Sequence, residues 1–308
     1  MTLKLSVLLS CFLLPFTYAA PASYPNALAL IEDQSDLTII RTLINRDSEL
    51  ISLYKTVKDV TIFAAPDDTF PARDLDVPPF TDKAFVRAVL QQIVVEGVHS
   101  TDDFTPKPVY YESKLTNSTY ANLSLGAAVA RLVKLNDKSN FLAGGGVSAN
   151  VLDTGANLAF QGGLVHKISN PINVTFSIAA TFSDTALPVA PNYSILNASA
   201  FGLLDALEET KDVTIFALTN EAFAAAVKGF LNKPQCLSRS VLDLLGEYAV
   251  VGGVYYGDSF DGRGVKTLGG ESVVLSGVGE FPELRVGGAR VVVPDVFVRN
   301  GVVHVLDG

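Results

Sequence analysis

The feature that most constrains this chain is that it contains the same pattern twice. Asp59-Val-Thr-Ile-Phe-Ala-Ala-Pro-Asp-Asp-Thr-Phe70 returns 153 residues later as Asp212-Val-Thr-Ile-Phe-Ala-Leu-Thr-Asn-Glu-Ala-Phe223. Val94-Val-Glu-Gly-Val-His-Ser100 returns after 156 residues as Val250-Val-Gly-Gly-Val-Tyr-Tyr256, and Gly163-Leu-Val-His166 after 138 as Gly301-Val-Val-His304. Three blocks in one order at similar offsets mean a duplicated domain. Between the second and third blocks the first copy is 18 residues longer. That extra stretch holds Asn117, Asn122 and Gly144-Gly145-Gly146, and such composition predicts a surface loop or a lengthened hairpin.

Each copy shows one coarse order of elements. Apolar residues at helical spacing come first, Leu37, Ile40, Leu43 and Ile44 in one copy and Phe201, Leu204 and Leu207 in the other,. Short β-rich runs follow, Val60–Phe63 and Val213–Phe216. Asp67 and Asn220 then stand where a chain leaving a strand enters a helix, and their short side chains suit N-caps of helices running toward Phe70 and Phe223,. Further helical stretches are expected over Lys83–Val94 and Leu237–Val250. The last third of each copy is rich in Val, Gly and Thr and alternates with period two, as in Gly288–Val298, which predicts antiparallel hairpins,. Helices ahead of an antiparallel sheet make an α+β domain. Each domain is thus expected to be a helical cluster packed on a twisted antiparallel β wedge. The bounds read from the repeat are 23–175 and 191–308, with a linker over 176–190 near Pro171, Pro188 and Pro191.

The N-terminus reads as an export signal. Lys4 precedes an apolar run from Leu5 to Phe16, and small residues follow at Thr17 and Ala19,. Cleavage after Ala19 gives a signal of residues 1–19; cleavage after Ala22 is the alternative, with Ala20 and Ala22 as the small pair. The run falls short of the roughly 20 apolar residues a bilayer crossing needs. Five Asn-x-Ser/Thr sequons fit an exported chain and mark expected surface positions: Asn117, Asn122, Asn173, Asn192 and Asn197,. With Cys11 inside the signal, only Cys236 remains, so no internal disulfide can form and a packed core must hold the fold. Removing Lys4 takes the net charge from -9 to -10. An acidic chain without a basic stripe argues against nucleic acid and anionic membrane surfaces.

The repeated blocks resemble the two signature motifs of the fasciclin domain, an extracellular adhesion module. The family's first motif, Thr-Val-Phe-Ala-Pro-Thr-Asn-x-Ala-Phe, is matched by Thr61, Phe63, Ala64 and Phe70, with Asp67 at the Asn position and Pro66 displaced by one. In the second copy Thr214, Phe216, Ala217, Thr219, Asn220, Ala222 and Phe223 match, and Leu218 replaces the Pro. The second motif, Asn-Gly-Val-Ile-His-Val-Ile-Asp, is matched nearly in full by Asn300-Gly-Val-Val-His-Val-Leu-Asp307, and more thinly by Gly163-Leu-Val-His166. The resemblance covers nearly the whole mature chain. Members often carry Tyr-His between these motifs, implicated in integrin binding in some animal proteins. Gln92-Ile93 and Tyr248-Ala249 stand there instead, and the chain has no Arg-Gly-Asp.

The candidate chemistry is sparse. His166 and His304 lie inside apolar runs, where a histidine is usually a core residue with its ring nitrogens tied to neighbours. No His or Cys cluster has ligand spacing, and no Gly-x-Ser-x-Gly elbow occurs,. Asp67-Asp68 and Asp102-Asp103 fall at turns or helix starts, where Asp serves as a cap,. Gly257–Gly264 lacks the alternating ligands and closing Glu of an EF-hand and reads as a hairpin turn,. No cofactor is called for. The resemblance and the signal imply a non-enzymatic protein of the extracellular matrix, cell surface or cell wall, with extracellular proteins or glycans as partners. A secreted carbohydrate-active hydrolase, using carboxylates that the fold alone assembles, is the alternative. The sequence stops at Asp307-Gly308, where the family usually continues with a few apolar residues. Membrane attachment is therefore expected only in a longer form that adds a C-terminal tail.

Overall fold

Most of the helical caps in the first domain are acidic or amide side chains that local sequence supplies. The computed structural model describes residues 24–71, 74–144, 146–183, 203–231, 249–277 and 283–308. Helix α1 (Ala27–Asp33) starts at Asn26, whose side chain accepts a hydrogen bond from the Ala29 N–H,. Helix α3 (Ser48–Thr56) is capped by Asp47 and α4 (Lys83–Gln92) by Asp82 in the same way. Helix α2 (Thr38–Asn45) buries Ile39, Ile40, Leu43 and Ile44 along one face, and its preceding residue is Leu37, which has no capping group. Its cap comes instead from Asp67, 28 residues onward, whose carboxylate accepts from the N–H groups of Thr38 (3.0 Å) and Ile39 (2.8 Å). The expectation that Asp67 caps its own helix is thus corrected. Only a single 3-10 turn follows over Asp67–Thr69, and the carboxylate turns back because the neighbouring helix has free donors and no cap of its own.

Strand β1 (Val60–Ala64) lies at the centre of the first domain. It runs antiparallel to β2 (Val94–Glu96) and parallel to β8 (Gly163–Lys167), which pairs with β7 (Leu158–Phe160). A second sheet holds β3 (Val109–Glu112), β4 (Val129–Leu135), β5 (Lys138–Leu142) and β6 (Ser148–Asn150), all antiparallel in sequence order. The second domain repeats the plan with β9 (Val213–Leu218) between β10 (Ala249–Val251) and β15 (Gly301–Leu306). Its remaining strands are β11 (Gly264–Lys266), β12 (Ser272–Ser276), β13 (Arg285–Val286) and β14 (Ala289–Val298), and all seven strands form one sheet in the order β10-β9-β15-β14-β13-β12-β11. The two sheets of the first domain are fused here because β14 runs continuously, bending through register shifts between Val291 and Val296,.

The wedge is therefore mixed rather than wholly antiparallel. In each copy the two signature motifs form the parallel pair, Val60↔Gly163 to Ala64↔Lys167 and Val213↔Gly301 to Leu218↔Leu306. This pairing explains the glycine that opens the third repeated block. A Cβ on Gly163 would stand 1.9 Å from the Val60 carbonyl oxygen, and one on Gly301 would stand 1.8 Å from that of Val213. No side chain fits there.

Two apolar cores result. Helices α1–α4 pack on the first sheet around Phe63, Tyr54 and Leu30. In the second, α5 (Ile178–Ser183) and α6 (Leu203–Glu209) pack on β9 and β15, and α7 (Asn220–Leu231) follows β9. Helix α5 falls in the 176–190 stretch read as a linker, yet Ile178 and Phe182 are buried in the second core. Its apolar spacing, rather than the nearby prolines, decided its state. Ala249 and Val250 were expected at the end of a helix and form a strand with Val251, since this segment can pair with Val213–Ile215. The rest of that expected helix, 237–248, lies outside the described residues, as do the signal region, Phe201 and Cys236.

Candidate functional site

The motif residues of the two domains build the same local device twice. Thr61 donates its hydroxyl to the Gly97 carbonyl (2.8 Å) and accepts from the His99 N–H (2.8 Å). Thr214 does the same with Gly253 (2.9 Å) and Tyr255 (2.8 Å). Each threonine thereby ties the segment leaving β2 or β10 to the central strand. That segment offers its next carbonyl to a histidine. His166 Nε2 is 2.8 Å from the His99 carbonyl, and His304 Nε2 is 2.8 Å from that of Tyr255. On the other side of each ring, Nδ1 accepts a backbone N–H, from Asn157 (3.1 Å) and from Asp295 (3.3 Å). With Nδ1 accepting, the proton sits on Nε2 and the ring is neutral. Burial pushes both pKa values below the usual histidine value,.

Aromatic residues close the cradles. Phe63 stacks on Phe141 with centroids 4.0 Å apart and lies 5.5 Å from His166. Phe216 lies 5.9 Å from His304, and Phe260 meets that ring edge-on at 5.1 Å. Phe70 is half-buried beside Phe80, and Phe223 is buried in the second core. In the second copy the cap expected of Asn220 belongs to Thr219, whose hydroxyl accepts the Ala222 N–H at 3.2 Å, while Asn220 is the first helical residue. The chain enters that helix one residue earlier than its spacing suggests.

A cavity of about 50 Å³ lies between α2, α4 and β1, and every residue lining it is apolar, Phe63, Phe70 and Phe80 among them. It is far smaller than the roughly 300 Å³ at which ligand pockets begin, and it offers no polar group to orient a substrate. One carboxylate of each aspartate pair is engaged structurally. Asp67 caps α2, and Asp103 forms a capping box with Ser100, accepting its N–H at 2.7 Å,. Among the described residues no group of three or more His, Cys, Asp or Glu could hold a metal ion. Gln92 is fully buried, its amide 3.4 Å from the Val129 carbonyl. Tyr248 lies outside the described residues.

The sequons differ in setting. Asn117 is exposed and its side chain accepts the Thr119 N–H in a local turn,. Asn122 and Asn173 are half-buried. The Thr175 hydroxyl of the latter triplet is buried and bonded to the Tyr120 carbonyl. Asn192 and Asn197 lie outside the described residues.

Sequence reasoning missed the densest polar cluster, which joins the two domains. Asp295 on β14 is wholly buried, and its Oδ2 meets Arg131 Nη1 of β4 at 2.9 Å; the arginine side chain is 4 % exposed. Tyr110 of β3 donates its hydroxyl to the same Oδ2 (2.7 Å), and the Gly257 N–H donates to Oδ1 (3.0 Å). Burial and the negative charge of Asp295 push the Tyr110 pKa well above its ordinary value. The Tyr110 ring stacks on Tyr256 at 4.7 Å, and Phe297 meets Tyr256 edge-on at 5.5 Å. Leu142, Phe297 and Val302 form an apolar cluster beside them. The stretch of extra length in the first copy also belongs here. The Asn122 N–H donates to the Arg299 carbonyl (2.7 Å), and the Ser124 N–H to Asp212 Oδ1 (2.9 Å). Of the two expectations for this stretch, the hairpin fits β4–β6, which pair antiparallel, while the surface loop is corrected around Asn122, because Ala121 and Leu123 are buried and the backbone bonds the other domain. A signal for the cluster was present: a lone arginine in Ala127–Val133 and a lone aspartate in Val291–Val298, opposite charges each inside an apolar run.

Mixed helix-and-sheet domains in tandem, each built on a parallel pair of the two motifs, define the class, and residues 192–308 match the family model of the fasciclin domain. Residues 192–308 are thereby shown to be a fasciclin domain, and the chain as a whole is similar to fasciclin-like proteins. It is 24% identical over 285 residues to a fasciclin-like arabinogalactan protein of Arthroderma benhamiae, covering 90% of this chain and 64% of that protein. It is 26% identical over 301 residues to the fasciclin-like arabinogalactan protein elcF of Phaeosphaeria nodorum, covering 95% of this chain and 91% of the relative. The chain thus spans less than two thirds of the first relative and most of the second. Among solved structures, a FAS1 domain pair from the insect cell adhesion molecule Fasciclin I aligns with 88% of this chain and 94% of that one, at 14% identity and a TM-score of 0.38.

Proposed function

We propose that this protein is an exported glycoprotein that binds components of the extracellular matrix, cell surface or cell wall through its paired fasciclin domains. The observation that carries the reading is how the motif residues are used. Thr61, Phe63, Asp67 and His166, with Thr214, Phe216 and His304 in the second copy, are spent on capping and cradling inside the fold. The chemistry that remains for function is on the exposed faces. The export signal, the exposed sequon at Asn117 and the relatives named as arabinogalactan proteins support the same reading.

A glycoside hydrolase needs two carboxylates across a cleft, roughly 5–10 Å apart. In each of the two aspartate pairs one carboxylate, Asp67 or Asp103, serves as a cap instead, and no observation favours that alternative. Solid-phase binding of the purified chain to matrix proteins, whole cells and wall polysaccharides tests the proposal. Saturable binding to at least one is expected; no saturable binding to any would sink it.

A further inference from the structure

The duplicated histidine cradle has been converted, in one copy, into the joint between the domains. In the first domain Asn157 donates its N–H to His166, and its side chain brackets its own domain: Oδ1 accepts the Thr101 N–H (3.0 Å) and Nδ2 donates to the Thr101 hydroxyl (2.8 Å). In the second domain Asp295 occupies the same place. It donates its N–H to His304 and accepts the Gly257 N–H on Oδ1. Asn157 and Asp295 also share a left-handed backbone, with φ of 56° and 59°.

Two differences matter. Gly257 stands where the first domain has Thr101, so no hydroxyl from that position occupies the second oxygen of the acid, which the Tyr110 hydroxyl of the other domain meets instead. A Cβ at Gly257 would stand 3.0 Å from the Tyr110 hydroxyl and 3.2 Å from Asp295 Oδ2, and this is the space the Tyr110 and Arg131 groups use. Asn157 has become Asp295, so that oxygen now carries charge for an arginine to meet. An intradomain bracket has turned into an interdomain one. A charge pair buried this completely is strongly sensitive to losing one partner.

We infer that Asp295 locks the two domains into one rigid unit, with Arg131 and Tyr110 as the parts of the first domain that engage it, and with the backbone of Asn122 and Ser124 joining the second domain beside it at Arg299 and Asp212. The lock is buried, and it fixes the spacing and orientation of both domains' exposed faces. The second domain can lose it without losing its cradle, because Asn157 demonstrates that an amide serves the same backbone geometry.

That equivalence supplies the experiment, carried out on the full chain by scanning calorimetry and small-angle X-ray scattering. The native protein is expected to melt in a single transition. Asp295→Asn is expected to split that transition into two and to raise the radius of gyration. Adding Arg131→Met to Asp295→Asn is expected to recover part of the loss, by removing a buried cation that no longer meets the Asp295 carboxylate,. Should Asp295→Asn fold poorly, Asp212→Gly tests the seam from its rim. Its φ of 57° suits glycine,, and only the carboxylate that accepts the Ser124 N–H is lost. It is expected to lower the midpoint of the joint transition. Two independent transitions in the native chain would overturn the inference. So would a single transition and an unchanged scattering profile in both Asp295→Asn and Asp212→Gly.

Discussion

The paired cradles make the stability of this fold depend on pH in a calculable way. His166 and His304 are held neutral, each by an accepted backbone N–H on Nδ1 and by burial, which lowers its pKa from the ordinary 6.5. The unfolded chain therefore binds more protons than the native one below that value, so stability rises with pH. The histidine contribution is complete above about pH 6.5 and is lost as pH falls below it, until the folded-state pKa values are reached. Each group costs about 1.4 kcal/mol per pH unit within that window, so the pair costs about 2.7 kcal/mol per unit while both rings stay neutral. The assay is urea denaturation at pH 7.5, 6.5 and 5.5, above the range where carboxylates dominate. The native chain should lose stability between pH 6.5 and 5.5, by at most about 2 kcal/mol because the unfolded-state rings are only half protonated at pH 6.5, and His166→Gln or His304→Gln should reduce that slope. Stability that is flat or rises toward pH 5.5 would refute the reasoning. An unchanged slope in both variants would refute it equally.

Further substitutions test the backbone architecture by urea denaturation. Gly163→Ala or Gly301→Ala forces a Cβ to within 2 Å of a strand carbonyl and should cost about 3 kcal/mol or prevent folding; Gly264→Ala, with nothing within 4 Å, should change stability by less than about 0.5 kcal/mol. Asp67→Ala removes the acceptor for the Thr38 and Ile39 N–H groups and should cost about 1–2 kcal/mol, with Asp67→Asn retaining part. Asn300→Ala leaves the carbonyls of Leu207 and Thr210 without their shared donor, now 2.6 Å from each, and should cost about 1–3 kcal/mol.

What the sequence made legible was whatever is encoded within a few residues or repeated. The duplication located both central strands, and the apolar spacing of Ile40, Leu43 and Ile44 located α2. Parallel pairing of β1 with β8 was not legible, because it joins residues about a hundred apart and alternation alone does not give strand direction,. The cap of α2 was hidden for the same reason. Asp67 looks like a local helix start, and only the fold shows that the donors without partners belong to Thr38 and Ile39. The seam was hidden differently. Arg131 and Asp295 each looked anomalous alone in an apolar run, but a lone buried charge announces only that some partner exists, not which.

The repeat also explains why this seam is used once. The strand registers place Val274 opposite Gly264 in the second domain as Arg131 lies opposite Tyr110 in the first. Where the first domain presents an arginine and a tyrosine hydroxyl, the second presents an exposed valine, 46% accessible, and a glycine. The first domain in turn carries Asn157 at the place of Asp295, with its amide already satisfied by Thr101. Two copies of one domain could have docked head to tail without end, since a contact between non-equivalent faces does not close on itself. Here the donor face exists only on the first copy and the acceptor acid only on the second. Divergence at these few positions therefore does two things at once: it supplies the joint within a chain, and it denies the same joint to a neighbouring molecule.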